Sequence, residues 1–407
     1  MLLTFWPGQK LASRMETFNF THSINAFRRS VNVELGNEQV QRVLRNDVGV
    51  MVLPINWRSN LSFEDGGPMQ EGGDDHTKDD FTLEDITQKT IPVVRNLISD
   101  VMLDIPYYMS HHKGKMIEAV IQEANRVYRL WCKNNPDFHR TGRVHIIAHS
   151  LGSVMCLDIL SKQPTTLPKI DLQGKKINAK CFDFCTTNLF FVGSPAGFFL
   201  LLEKRMLLPR RGQSKPGAEQ GDGNDKAITG VAGEYGCLAV DNIYNVMSYN
   251  DPIAYCLNAT VDSQYAKSLK NAQVPSATTG FFESIGNAMR AMTPGASGPV
   301  DLAVGQVAKP PSVARLPSQL EMDVHDFTRE EIAEKKFYLL NDNGQMDWFL
   351  NSGGGPLEIQ YLNMLSAHSS YWIHPDFVRM LVIEVGRKAG KSYCLPNMRA
   401  VKATQKK

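Results

Sequence analysis

The chain has 407 residues, 43% of them hydrophobic and 21% charged, with a formal net charge of +2. These values fit one large folded domain with insertions and exclude a disordered or fibrous chain. So small a net charge creates no overall field towards nucleic acid; no nucleic-acid partner is expected, and any attraction to an anionic surface has to be local.

In chain order, the N-terminus MLLTFWPGQK has no basic start and meets Pro7 too soon for a secretory signal. The run VGVMVLPINW (Val48 to Trp57) is nearly continuous in apolar residues, as in strands covered on both faces. An acidic, Gly-rich stretch from Glu64 to Asp80 reads as a surface loop, and Ile91 to Ile105 as a helix. A clearer helix spans Lys115 to Asn134, where Ile117, Val120, Ile121, Ala124, Val127, Tyr128 and Trp131 recur at helical spacing. Further buried strands are expected at Arg143 to Ser150, Asn188 to Pro195 and Asn242 to Tyr249. Strands alternating with helices of this length predict an α/β fold, with a mostly parallel sheet covered by helices on both faces, in a single domain.

Two Gly/Pro-rich polar segments, 209–225 and 266–318, are expected to be flexible insertions, the first of them disordered. The second contains an apolar helical face, Thr278 to Met292, suited to a membrane-facing helix, a lid or simple packing on the domain. The longest apolar stretch, Phe190 to Leu202, is broken by Gly193, Pro195 and Gly197 and falls short of the ~20 residues that a spanning helix needs. The chain is therefore expected to be soluble or peripheral. The seven cysteines lack paired spacing, which argues against a disulfide framework and a zinc site and for a reducing compartment.

The segment that carries chemistry is RVHIIAHSLGSVMCLDIL. A buried strand runs into His149-Ser150-Leu151-Gly152 and a helix follows, so Ser150 sits on the strand-to-helix turn that lifts a hydroxyl to the carboxyl edge of a sheet. The small residues flanking it are Ala148 and Gly152, an A-x-S-x-G pattern. The Leu151 N–H at the helix start is placed to stabilise an oxyanion. The plainer reading is a structural turn serine. A nucleophile also needs a base and an orienting acid, in the chain order Ser, acid, His. Asp251, just past the last of the expected strands, is the preferred acid, and His368 in LSAHSSYW the preferred base. His325 lies in a polar run and His374 before Pro375, both read as surface positions. Asp347, in an expected hairpin, and Asp376 are the alternative acids. Asp158, within the helix after Ser150, is read as a solvated or capping residue. This chemistry requires no metal or cofactor. Basic Lys204, Arg205, Arg210 and Arg211 could meet a phosphate headgroup.

Several blocks together resemble the DDHD-domain phospholipases, the intracellular phosphatidic-acid-preferring phospholipase A1 enzymes. They are NWRSNLSFED, LEDITQKTIPVVRNLISDVMLDIPYYMS, VHIIAHSLGS, FFVGSPAGFF, YNDPIAY and LSAHSSYW, spanning about Gly8 to Arg387, with the DDHD region over 180–390. The resemblance implies an α/β-hydrolase-like fold and hydrolysis of the sn-1 acyl ester of phosphatidic acid or related phospholipids. It also implies peripheral association of a cytoplasmic protein with Golgi, ER or mitochondrial membranes, and allows a homo-oligomer. The namesake Asp, Asp, His and Asp map onto Asp251, Asp347, His368 and Asp376, for which metal binding is a family-level alternative. Members begin the domain with a strand ending in His-Gly-Ile-Gly-Gln, the expected oxyanion loop. Here Gly8-Gln9 matches, whereas the leading strand and the His-Gly pair are expected to be missing. A catalytically weak membrane-trafficking scaffold, binding lipid or coat proteins, is the alternative reading.

Overall fold

The computed structural model describes residues 1–5, 20–57, 104–168, 174, 177–277, 317–350 and 367–403, with side chains omitted at 20, 21, 104 and 317–328. The strands are β1 (Leu2–Phe5), β2 (Val52–Ile55), β3 (Val144–His149), β4 (Thr186–Val192), β5 (Leu208–Pro209), β6 (Cys237–Leu238), β7 (Val240–Ser248), β8 (Ala272–Gln273) and β9 (Asp347–Leu350). The principal helices are α1 (Phe20–Leu35), α2 (Lys113–Asn134), α3 (Leu151–Lys162), α4 (Ala196–Leu202), α5 (Pro317–Leu340) and α6 (Pro375–Gly386).

A seven-stranded sheet runs β2-β1-β3-β4-β7-β9-β8, and every pairing in it is parallel. Both faces are covered, as the continuous apolar runs predict. Leu3, Ile146, Leu189, Phe191 and Ile243 pack with α2, α3 and α4 on one side. Their sequence neighbours Leu2, Ile147, Phe190 and Tyr244, with Trp348, pack with α1 and α6 on the other. The two-residue alternation of strand side chains produces this division. The result is the three-layer α/β architecture read from the sequence.

The expected loss of the leading strand is not found. Leu2–Phe5 is an inner strand between β2 and β3, with Leu2 opposite both Val52 and His145. Four buried residues, three of them apolar, suffice because neighbours satisfy the backbone on both sides. The hairpin expected around Asp347 is also corrected, since β9 lies parallel between β7 and β8. Segment 209–225, expected to be disordered, is instead tied to the domain by Arg210. That guanidinium is buried and donates to the carbonyls of Leu160, Ser161, Gln163 and Cys237, closing the C-terminal end of α3. Arg211 donates to Thr229. Arg210 is therefore withdrawn from any headgroup. The apolar face at Thr278 to Met292 and residues 91–103 of the helix expected from Ile91 lie outside the described residues, as does the side chain of His325.

Candidate active site

The strand order sets where a site forms. The chain starts at β1, steps to β2, then crosses to β3 on the other side of β1. At such a reversal, loops leave the carboxyl edge in opposite directions and open a crevice. Ser150 follows β3 at this point. A Cβ on Gly152 would lie 3.4 Å from the Phe5 Cβ and 3.5 Å from its carbonyl oxygen, so β1 ends against the start of α3.

Ser150 holds φ 52 and ψ −129, a region that side chains rarely occupy. Its N–H donates to the Val192 carbonyl (3.1 Å), and its carbonyl accepts from the Ser153 N–H (3.0 Å) and Oγ (2.5 Å). Ser153 Oγ also meets Ser194 Oγ at 2.6 Å. The turn is thus fixed by β4 and by the first turn of α3. Ser150 is only 3% exposed.

Asp251, past the end of β7, and His368 are brought together although far apart in sequence. His368 Nδ1 lies 2.9 and 3.0 Å from the two Asp251 carboxylate oxygens. Asp251 Oδ2 also accepts from the Tyr371 hydroxyl (2.7 Å), and Oδ1 from the Ile253 N–H (2.9 Å). Burial would raise the Asp251 pKa, but the hydrogen bond and charge of His368, with the other two donors, hold it below the usual carboxylate range. Because Nδ1 faces a carboxylate, the ring proton belongs on Nδ1 and the lone pair on Nε2. His368 Nε2 is buried and has no hydrogen-bond partner among the described residues. Contacts from such a nitrogen to a nucleophile often close only when substrate is bound.

Gly193, Tyr371 and His149 complete this arrangement and were not singled out in the sequence. Gly193 holds φ +56, and a Cβ there would lie 2.7 Å from Asp251 Oδ2 and 3.0 Å from His368 Nδ1. Only glycine lets the pair settle so close to the end of β4. The available signal was a glycine directly after a buried strand in FFVGSP. Tyr371 sits one turn past His368 and also accepts from the Ser248 N–H (3.0 Å), linking the end of β7 to the histidine loop.

His149 Nε2–H donates to the His368 carbonyl at 2.5 Å, and the two rings lie 4.6 Å apart. Burial first, and the neighbouring His368 ring second, lower the His149 pKa from an ordinary 6.5 to about 3. Between those two values the unfolded chain binds the extra proton and the folded chain does not. Stability from this group is therefore full above pH 6.5 and falls as the pH drops below it. At pH 5 the loss is expected to be about 2 kcal/mol relative to pH 7, from ~1.4 kcal/mol per pH unit. Denaturant midpoints at both pH values should show a smaller loss in His149→Gln; an equal loss in the two proteins would dismiss the assignment.

The other namesake carboxylates lie elsewhere. Asp347 starts β9 and accepts from Asn245 Nδ2 (2.8 Å) and from the N–H groups of Leu257 (2.9 Å) and Asn258 (2.9 Å). Its pKa is raised because burial outweighs those bonds. Asp376, in the first turn of α6, accepts from the Ala277 N–H at 2.5 Å, while Arg379 holds the Ala277 carbonyl and Glu34. Neither touches His368, and among the described residues no group of three or more His, Cys, Asp or Glu could hold a metal ion. Asp158 is not solvated but buried, paired with Lys113 and Lys162 at 2.6 Å each. Gly8 and Gln9 lie outside the described residues.

The DDHD-domain profile matches residues 182–302 and 308–386, from the approach to β4 through α6. The chain belongs to the DDHD-domain family. A probable mitochondrial phospholipase of Schizosaccharomyces pombe is 26% identical over 93% of this chain and 53% of its own length. A probable mitochondrial phospholipase of Saccharomyces cerevisiae is 26% identical over 93% of this chain and 48% of its own. The human triacylglycerol hydrolase DDHD2 is 34% identical over 38% of this chain and 20% of its own. The chain thus spans about half the length of the fungal relatives. No solved structure matches it. Both fungal matches extend well before the DDHD region. In this DDHD-domain chain no described helix is long and apolar enough to cross a membrane.

Proposed function

We propose that this chain is a serine hydrolase that cleaves the sn-1 fatty-acyl ester of phosphatidic acid or a related phospholipid, releasing a fatty acid and a lysophospholipid. The observation that carries the reading is His368. Its Nδ1 is bound to a buried carboxylate and its Nε2 has no partner among the described residues. A buried ring nitrogen without a partner is costly unless it has work to do. The names of the fungal relatives support phospholipid as substrate.

In the proposed reaction His368 Nε2 takes the proton of Ser150 as Oγ attacks the acyl carbonyl carbon. Asp251 keeps the proton on Nδ1 and stabilises the imidazolium that forms. The Leu151 N–H, at the N-terminus of α3, donates to the oxyanion, and Gly8 or Gln9, which follow β1 in sequence, are the proposed source of a second donor. Collapse of the tetrahedral species returns the proton from Nε2 to the departing glycerol oxygen and leaves an acyl ester on Ser150. Water, deprotonated by His368, attacks that ester; the fatty acid leaves and Ser150 regains its proton. The expected cellular setting is the surface of an intracellular membrane, and the mitochondrial names of the fungal relatives favour that organelle.

A fluorophosphonate probe tests the reading. It should form one covalent adduct, on Ser150, and abolish release of fatty acid from phosphatidic acid. Fatty-acid release that continues in fully labelled protein, or an adduct on another residue, would overturn it.

A further inference from the structure

Helix α4, sequence AGFFLLL, is apolar on every side although it is not fully covered. Phe199 and Leu200 are buried, and Phe199 packs against Tyr108. Leu201 is 71% exposed, Leu202 49%, Phe198 38% and, just beyond the helix, Met206 48%. Phe198 stacks on Tyr255, itself partly exposed, with ring centroids 5.4 Å apart. A helix apolar all round is at home in a core or in lipid, not at a water surface. The charges are confined to its end, where Glu203, Lys204 and Arg205 are all exposed.

The position of α4 adds to this. It begins directly after Gly193-Ser194-Pro195, and Gly193 lies under the Asp251–His368 pair. The Tyr255 N–H donates to the Ser194 carbonyl at 2.8 Å, so the loops after β4 and β7 present their aromatic side chains together. The exposed apolar patch therefore shares the carboxyl edge of the sheet with Ser150.

We infer that Phe198, Leu201, Leu202 and Met206, flanked by Lys204 and Arg205, form the face that seats on an anionic phospholipid bilayer. The inference rests on the proposed hydrolase reading, since a lipid with long acyl chains would pass from bilayer to Ser150 without crossing water. The apolar side chains enter the headgroup boundary, while the two cations favour a negative surface and Glu203 offsets part of their attraction. A protein partner would suit the apolar residues but gives no reason for a rim whose net charge, with Glu203 set against Lys204 and Arg205, is positive.

The full chain is tested by co-sedimentation with vesicles of phosphatidylcholine and phosphatidylserine, an anionic lipid other than the proposed substrate. Leu201→Ser combined with Leu202→Ser should weaken binding roughly tenfold or more. Lys204→Glu combined with Arg205→Glu should remove the preference over pure phosphatidylcholine and flatten the salt dependence. Both variants should hydrolyse a soluble short-chain ester at the unaltered rate, which also reports an intact fold. Unchanged sedimentation of the leucine pair overturns the docking face. So does equal loss on vesicles and soluble ester, which would show that the patch packs within the domain. A dimer in lipid-free solution broken by the same leucine substitutions would assign the patch to a second copy instead. If the hydrolase reading alone were wrong, the unaltered chain would not cleave the soluble ester, yet vesicle binding would still be measurable.

Discussion

Ser150→Ala is expected to lower kcat for ester hydrolysis on the order of 10⁶-fold, leaving only the small rate that binding and oxyanion donors supply. The loss should be catalytic and not structural. Ser150 makes its hydrogen bonds to Val192 and Ser153 through backbone groups, which alanine keeps. Alanine is as strained as serine at φ 52, so the thermal midpoint should scarcely move. Glycine has no such penalty, and Ser150→Gly should be more stable than the unaltered protein by ~1 kcal/mol or more, with equally little activity. That divergence is specific to a nucleophile held in a strained turn. A serine serving only as a structural turn would give the same stability gain with no loss of turnover. Fatty-acid release, measured alongside thermal melts of the three proteins, separates these outcomes.

Local pattern made part of this legible. The strands at Val52, Val144, Thr186 and Val240 are buried on both faces, and their apolar runs show it without tertiary knowledge. The turn at Ser150 was readable because strand, serine and helix are contiguous. β1 was missed because LLTF is short, and its identity depends on pairing with residues such as Val52 and His145. DWFL at β9 follows a polar turn and resembles a hairpin arm until β7 and β8 are seen to flank it. Segment 209–225 was misread for a different reason. Composition averages over a window, whereas one guanidinium, that of Arg210, supplies the anchoring bonds. Asp158 was misread similarly, since Lys113 approaches it from another helix.

The site divides in the same way. Asp251 and His368 could be proposed from strand ends and small-residue loops, but their pairing joins positions 117 residues apart. The support from Tyr371 and His149 spans separations of 120 and 219 residues. No periodicity encodes such contacts. The parallel sheet creates them by collecting the loops after β3, β4 and β7 on one edge.

That collection yields a second large expected effect, in the contrast between Asp251→Asn and Asp347→Asn. Every group around the Asp251 carboxylate is a donor: His368 Nδ1–H, the Tyr371 hydroxyl and the Ile253 N–H. An amide would retain one oxygen for Ile253 and turn its NH₂ towards His368. The ring would then accept at Nδ1 and carry its proton on Nε2, the tautomer that cannot deprotonate Ser150. The expected fall in kcat is ~10⁴-fold, with KM little changed. Asp347 is likewise surrounded by donors, from Asn245, Leu257 and Asn258, but these belong to scaffold segments and not to His368. In Asp347→Asn an NH₂ would face a buried N–H without an acceptor, destabilising the fold by roughly 1–3 kcal/mol. The molecules that remain folded should keep a kcat within a fewfold of the original. Active-site titration gives turnover per folded molecule, and denaturant melts give stability. Should Asp347→Asn instead lose turnover with unchanged stability, and Asp251→Asn the reverse, the acid would have to be reassigned to β9.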